Sequence, residues 1–190
     1  MWLDRVKKYS QYEFDVTWKN FQLQQANSKE EPDGKVWELP DHREARSMVA
    51  AVAGEAARRQ GKDAYERFHL ALLTARHGQE GRVALNEEGA MADIAEQSGL
   101  DVARFQEDLK DPSLVQKVAD DHTEATEQHG VFGTPTFVFD NGNSVYLKSF
   151  IPPEKDAAPF FGHFVGLMRD MSFVGEMKRP QPPWPKGAVS

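Results

Sequence analysis

The 190-residue chain contains no cysteine. Disulfide frameworks, thiolate metal sites and cysteine nucleophiles are therefore excluded for the chain as it stands. Long apolar runs are missing as well. None approaches the roughly 20 residues that span a bilayer, and the opening MWLDRVKKYS is too charged for the core of a signal peptide. There is no basic surplus: 23 Lys and Arg stand against 30 Asp and Glu, for a formal net charge of -7. The cations are dispersed among acids, which argues against a nucleic-acid partner. No Ser-His-Asp pattern emerges, and GQEG at 78–81 lacks the strand-to-helix context of a phosphate loop. These absences leave the expectation of a cytoplasmic protein with no membrane or nucleic-acid partner.

The composition, 39% hydrophobic and 28% charged, suits one sizeable core. Along the chain, Trp2, Val6 and Tyr9 recur at helical spacing with no capping residue ahead of them. Phe14, Val16 and Trp18 then alternate with Asp15, Thr17 and Lys19, which predicts a half-buried strand. Residues 24–40, carrying SKEEPDGK, read as a polar loop. Residues 43–129 read as five successive helices. Ala45, Met48, Val49, Val52 and Ala56 line the first, and Tyr65, Phe68, Leu72 and Leu73 the second. Asn86 and Asp101 are expected N-caps, Pro112 marks a first turn, and Gly61, Gly78, Gly99 and Gly130 mark ends.

After this block, TPTFVFDNG and SVYLKSF form two strand-like segments around Asp140-Asn141-Gly142-Asn143, which predicts an antiparallel hairpin. Thr134-Pro135 stands at its entry, because proline gives no amide hydrogen to a sheet; a cis bond there is one of two readings. A last helix, weakened by Pro159 and two glycines, follows Pro152-Pro153, and the proline-rich end carries no periodicity. Helix, strand, helical insertion, hairpin and helix together describe an α/β or α+β layer fold.

The histidines do not form a ligand cluster by spacing. His122 and His129 read as the edge of a core stripe, His69 and His77 as residues around a helix end, and His42 beside Asp41 as a loop or cap residue. The EDLKDP run and Asp120-Asp121 read as solvated helix faces.

HGVFGTPTFVFDNG at 129–142 resembles the cis-proline loop of the DsbA-like branch of the thioredoxin superfamily, and the helical insertion and closing strand-helix unit fit the same pattern. Within it, the cytoplasmic polyketide-biosynthesis oxidoreductases and mycothiol-dependent nitroreductase-like proteins look nearest. The resemblance implies a thioredoxin-like core of residues 1–24 and 130–170, a helical insertion at 41–129 and a C-terminal tail at 171–190. It also implies a Cys-x-x-Cys at the start of the first helix, preceded by a strand; both are absent here. MWLDRVKK would then be the second half of that helix, with about 20 further residues, one strand plus a turn, expected ahead of Met1; the alternative is that another segment or a partner fills the place of the missing strand.

By the same resemblance Thr134 would offer main-chain groups to a substrate, Pro135 would position it, and Phe132 would line a hydrophobic groove. With no thiol in the chain, a structural role for Pro135 outweighs a chemical one. A small thiol or disulfide is the implied substrate, a low-molecular-weight thiol the co-substrate, with no tightly bound cofactor and no metal. Two alternatives stand beside thiol–disulfide exchange. One is a glutathione-dependent isomerase similar to the kappa-class transferases; the other is a non-catalytic binding module, including a homodimer that buries the Phe14–Trp18 edge.

Overall fold

The computed structural model describes residues 1–27, 34–45, 47–78 and 82–178. Its elements are helices α1 (Trp2–Tyr9), α2 (Leu23–Ala26), α3 (Met48–Arg58), α4 (Lys62–His77), α5 (Glu88–Gln97), α6 (Val102–Asp108), α7 (Ser113–His129) and α8 (Glu154–Met168), with strands β1 (Thr136–Val138) and β2 (Ser144–Tyr146) before α8. A 3-10 turn covers His42–Glu44. The chain divides into two compact units: Met1–Thr17 with Thr134–Ser190, and Trp18–Gly133. Among the described residues no helix is long and apolar enough to cross a membrane. Most of SKEEPDGK, the GQEG stretch beyond Gly78 and the proline-rich end from 179 lie outside the described residues.

The first unit is built on aromatics. Val6 of α1 is fully buried, and the Trp2 ring lies 4.6 Å from Phe160 and 5.8 Å from Phe164 of α8. The Trp2 indole also donates to the Ala157 carbonyl at 3.1 Å, and Arg5 donates to the Pro152 carbonyl at 2.7 Å. Phe137 of β1 packs on Phe164 at 4.8 Å, while Phe14 stacks on Phe161 at 4.6 Å. This packing explains why α8 continues through Pro159. One missing backbone donor is outweighed by a buried aromatic face.

β1 and β2 pair antiparallel in the register Thr136↔Tyr146, Phe137↔Val145, Val138↔Ser144. Gly142, at φ 86°, takes the left-handed position that the turn needs. The turn is tied to the end of α8: Asn141 and Asn143 donate to the Arg169 carbonyl at 2.6 and 2.8 Å, and Arg169 pairs with both oxygens of Asp140. The second strand is shorter than SVYLKSF suggests, although Leu147 still donates to the Pro135 carbonyl at 3.0 Å.

The strand predicted over Phe14–Trp18 does not form. Residues 11–22 carry no ladder, although Phe14, Val16 and Trp18 are half-buried and Asp15 and Thr17 exposed, as the alternation requires. Among the described residues no third strand pairs with this segment, and the Val16 amide is taken by the Asp15 side chain at 2.9 Å. Alternation sets which residues are covered; a strand also needs a hydrogen-bonding neighbour.

The second unit is helical. Met48, Val52, Ala53 and Ala56 of α3 meet Phe68, Met91, Ile94, Phe105 and Val118 from α4 to α7 in one core. The buried alanines Ala50, Ala53, Ala56 and Ala57 let neighbouring helices approach α3 closely. Asp101 caps α6 as expected, accepting from the Arg104 amide at 3.0 Å. Asn86 does not cap α5, whose N-cap position is Glu87. Gly130 ends α7 at φ 61°, with the Val131 amide reaching back to the Ala125 carbonyl at 3.0 Å. The helix α2 occupies the start of the segment expected to be loop.

Candidate functional site

The left-handed Gly130 turns the chain out of α7 into the segment Val131-Phe132-Gly133-Thr134-Pro135. The Thr134–Pro135 bond is cis. Pro135 is exposed at the head of β1, with its carbonyl directed to the Leu147 amide of the hairpin. Thr134 is exposed, and its backbone groups have no hydrogen-bond partner among the described residues. Chemically, this is a free amide and carbonyl at the end of a strand, able to pair with an extended chain.

Phe132 is 69% exposed, a high value for a large apolar side chain. It closes the helical unit, whereas Thr134 and Pro135 open the other, so the three residues are neighbours along the chain and each is positioned by its own unit. Phe137 and Phe139, by contrast, pack against Phe164 and belong to the core. Two surface depressions of about 320 and 340 Å³ lie in the helical unit. One is bounded by Gly61, Asp63 and Arg67, the other by His42, Leu109 and Val115. None of Phe132, Thr134 or Pro135 lines either one.

The polar chemistry of the helical unit gathers elsewhere, at a cluster that the sequence does not announce. Asp121, expected on a solvated face, is 1% exposed, and Glu55 of α3 is also buried. Asn20 joins them. Its backbone amide and side-chain amide both donate to Asp121, at 3.0 and 3.1 Å, and the side chain also donates to Glu55 at 2.8 Å. Lys117 pairs with Asp121 at 2.5 Å, Lys19 lies 3.4 Å from the same carboxylate, and Arg58 binds Glu55 at 3.1 Å while donating to the Trp18 carbonyl. Burial pushes the Asp121 carboxyl up, but the hydrogen bonds from Lys117 and Asn20 outweigh it and hold the group below its ordinary value.

Two histidines border this cluster. His69 lies 4.5 Å from the Trp18 ring and stacks on Tyr65 at 5.4 Å, and the Arg58 guanidinium covers the Tyr65 ring at 3.8 Å. Burial drives His69 down to about 4 and Tyr65 up to about 12. His69 Nε2 is buried with no hydrogen-bond partner among the described residues. His122 accepts through Nδ1 from the Gln22 amide at 3.1 Å, between the rings of Phe21 and Trp37. It is more than the edge of a core stripe. No signal in the sequence pairs residues about a hundred positions apart; only the spacing of Asp121 and His122, three and four positions after Val118, hints that this face turns inward.

His42 lies in the 3-10 turn, whose cap is Asp41, accepting from the Arg43 amide at 3.0 Å. Among the described residues, no three His, Asp or Glu side chains are grouped to hold a metal ion. The acidic run ending α6 is paired: Arg59 reaches Asp108 at 3.1 Å and Asp111 at 2.6 Å.

Comparison with known protein families matches residues 3–156 to the family described as DSBA-like thioredoxin domain. No curated protein matches the chain.

Proposed function

Because the chain belongs to the DSBA-like thioredoxin domain family, and because its 190 residues hold no cysteine, we propose that it binds a thiol or disulfide substrate without supplying the attacking thiolate. One observation carries this reading: Thr134, at the head of β1, is exposed and its backbone groups have no hydrogen-bond partner among the described residues. Thr134 pairs with an extended substrate and Pro135 fixes the direction of approach, both from the unit that carries β1. Exchange, where it occurs, is a displacement in which a thiolate from outside these residues attacks one sulfur of the substrate disulfide. A new S–S bond forms, the old one breaks, and the second sulfur leaves as thiolate. A low-molecular-weight thiol is the co-substrate of this reading.

The test is NMR titration of the chain with glutathione disulfide and with a peptide–glutathione mixed disulfide, alongside a disulfide-reduction assay. Saturable shifts confined to Thr134 and its neighbours, weakened in Pro135→Ala, with no turnover above the buffer rate, support the proposal. Turnover by the chain alone, or no shifts in the loop, overturns it. Glutathione retention with isomerisation of a chromene-type substrate transfers the function to an isomerase instead.

A further inference from the structure

The segment Trp18–Gln22 forms no helix or strand; apart from the Gln22 carbonyl, which accepts from the Ala26 amide at 3.1 Å, its backbone hydrogen bonds run to side chains of the helical unit. Its first half is held by charges: Arg58 on the Trp18 carbonyl, and Asp121 and Glu55 on Asn20. Its second half is held differently. Gln22 is 2% exposed; its amide donates to His122 Nδ1 at 3.1 Å, and its side-chain oxygen accepts from the Ser47 hydroxyl at 2.6 Å. The Phe21 ring lies tilted against the same imidazole at 4.8 Å. A peptide N–H can only donate, so this hydrogen bond exists only while His122 Nδ1 carries no proton.

We propose that Phe21–Gln22 is a proton-released strap, docked while His122 is neutral and undocked when its Nδ1 is protonated. Protonation converts the acceptor into a second donor facing the buried Gln22 amide. The charged groups around the imidazole do not favour its charged form. Lys35, on the segment that carries Trp37, disfavours it. Asp121, next to His122 on α7, is already occupied by Lys117, Lys19 and Asn20; Glu55 of α3 is held by Arg58, and Glu124 of α7 by Lys19. Burial, with Lys35 second, accordingly lowers the His122 pKa from its ordinary value. Asp121, which holds the Asn20 amide, is kept below its ordinary value by Lys117 and Asn20 and stays ionised where His122 titrates, so release is local. It frees Phe21, Gln22 and the chain leading into α2 while the Trp18–Asn20 half stays bound.

The experiment is amide hydrogen exchange of the full chain, expressed as protection over the intrinsic rate, from pH 8 to pH 4.5. The Gln22 amide is expected to lose protection by up to about tenfold per pH unit once His122 titrates, while the Asn20 amide keeps its own. In His122→Gln, whose side-chain oxygen accepts without titrating, the loss should vanish. A Gln22 protection that does not change with pH, or that changes equally in His122→Gln, overturns the proposal. If that variant does not fold, ¹⁵N shifts of the wild-type imidazole decide: an unprotonated Nδ1 at pH 7.5 that titrates together with Gln22 protection supports the strap, and an Nδ1–H at pH 7.5 refutes it.

Discussion

Asn20 shows what a single side chain holds in place. It bridges two buried carboxylates that come from helices far apart in sequence. Asn20→Ala leaves both Glu55 and Asp121 short of a donor in a buried site, and is expected to cost about 2 kcal/mol, read as a lower urea midpoint at unchanged slope. His69 gives the opposite expectation. Its Nε2 has no partner among the described residues, and burial lowers its pKa. His69→Phe keeps an aromatic ring against Trp18 and Tyr65 and removes an unsatisfied polar atom, so thermal unfolding at pH 7 should show equal or higher stability. A loss above about 1 kcal/mol would mean that the imidazole has a hidden partner. Neither role was legible in the sequence. Asp121 reads as half of a solvated acidic pair because its partner Asn20 lies 101 positions away.

At the level of elements, the sequence reveals most where a local rule and the tertiary packing agree. Asp101 as a cap, Gly130 as a left-handed stop and Asn141-Gly142 as a turn are short-range chemistry, and all three appear where the residues place them. The strand over Phe14–Trp18 fails because its existence depends on a neighbour, although its pattern of covered and open residues survives. The same reasoning separates two glycines of α8. A β-carbon at Gly166 would meet no atom of the described residues within 4 Å, so Gly166→Ala should stabilise by about 0.5–1 kcal/mol through helix propensity alone. At Gly162 it would run into the Tyr12 hydroxyl, the far end of a half-exposed side chain. Gly162→Ala should therefore gain less than Gly166→Ala, and the order of the two melting temperatures checks this. The candidate loop was legible as a turn from Thr134-Pro135. The exposure of Phe132 was not, because apolar residues in loops are as often covered.

For the whole molecule, the shifted groups fix how stability depends on acidity. A histidine lowered to about 4 in the folded state takes up its proton more readily when unfolded. The stability it confers is complete above about pH 6.5 and is lost as pH falls from there toward about 4. His122 is lowered and acts in the same direction, while Asp121 is lowered and withdraws its contribution only below the ordinary carboxylate range. Melting temperature should therefore decline from pH 7 to pH 4.5 and then fall further below pH 4. His69→Phe should remove part of the first decline, and a flat profile between pH 7 and pH 5 would contradict the burial of both histidines.

The pairing of α1 with α8 also bears on the order in which the chain is made. The Trp2 indole finds its acceptor 155 positions downstream, whereas the helical unit is one uninterrupted stretch from Trp18 to Gly133. On a ribosome the first helix emerges with its aromatic face uncovered and stays so until α8 appears. The helical unit, in contrast, can close its core as soon as α7 is complete. A face made long before its partner is thus late to be protected, which makes Trp2–Val6 a part of the nascent chain that calls for a chaperone.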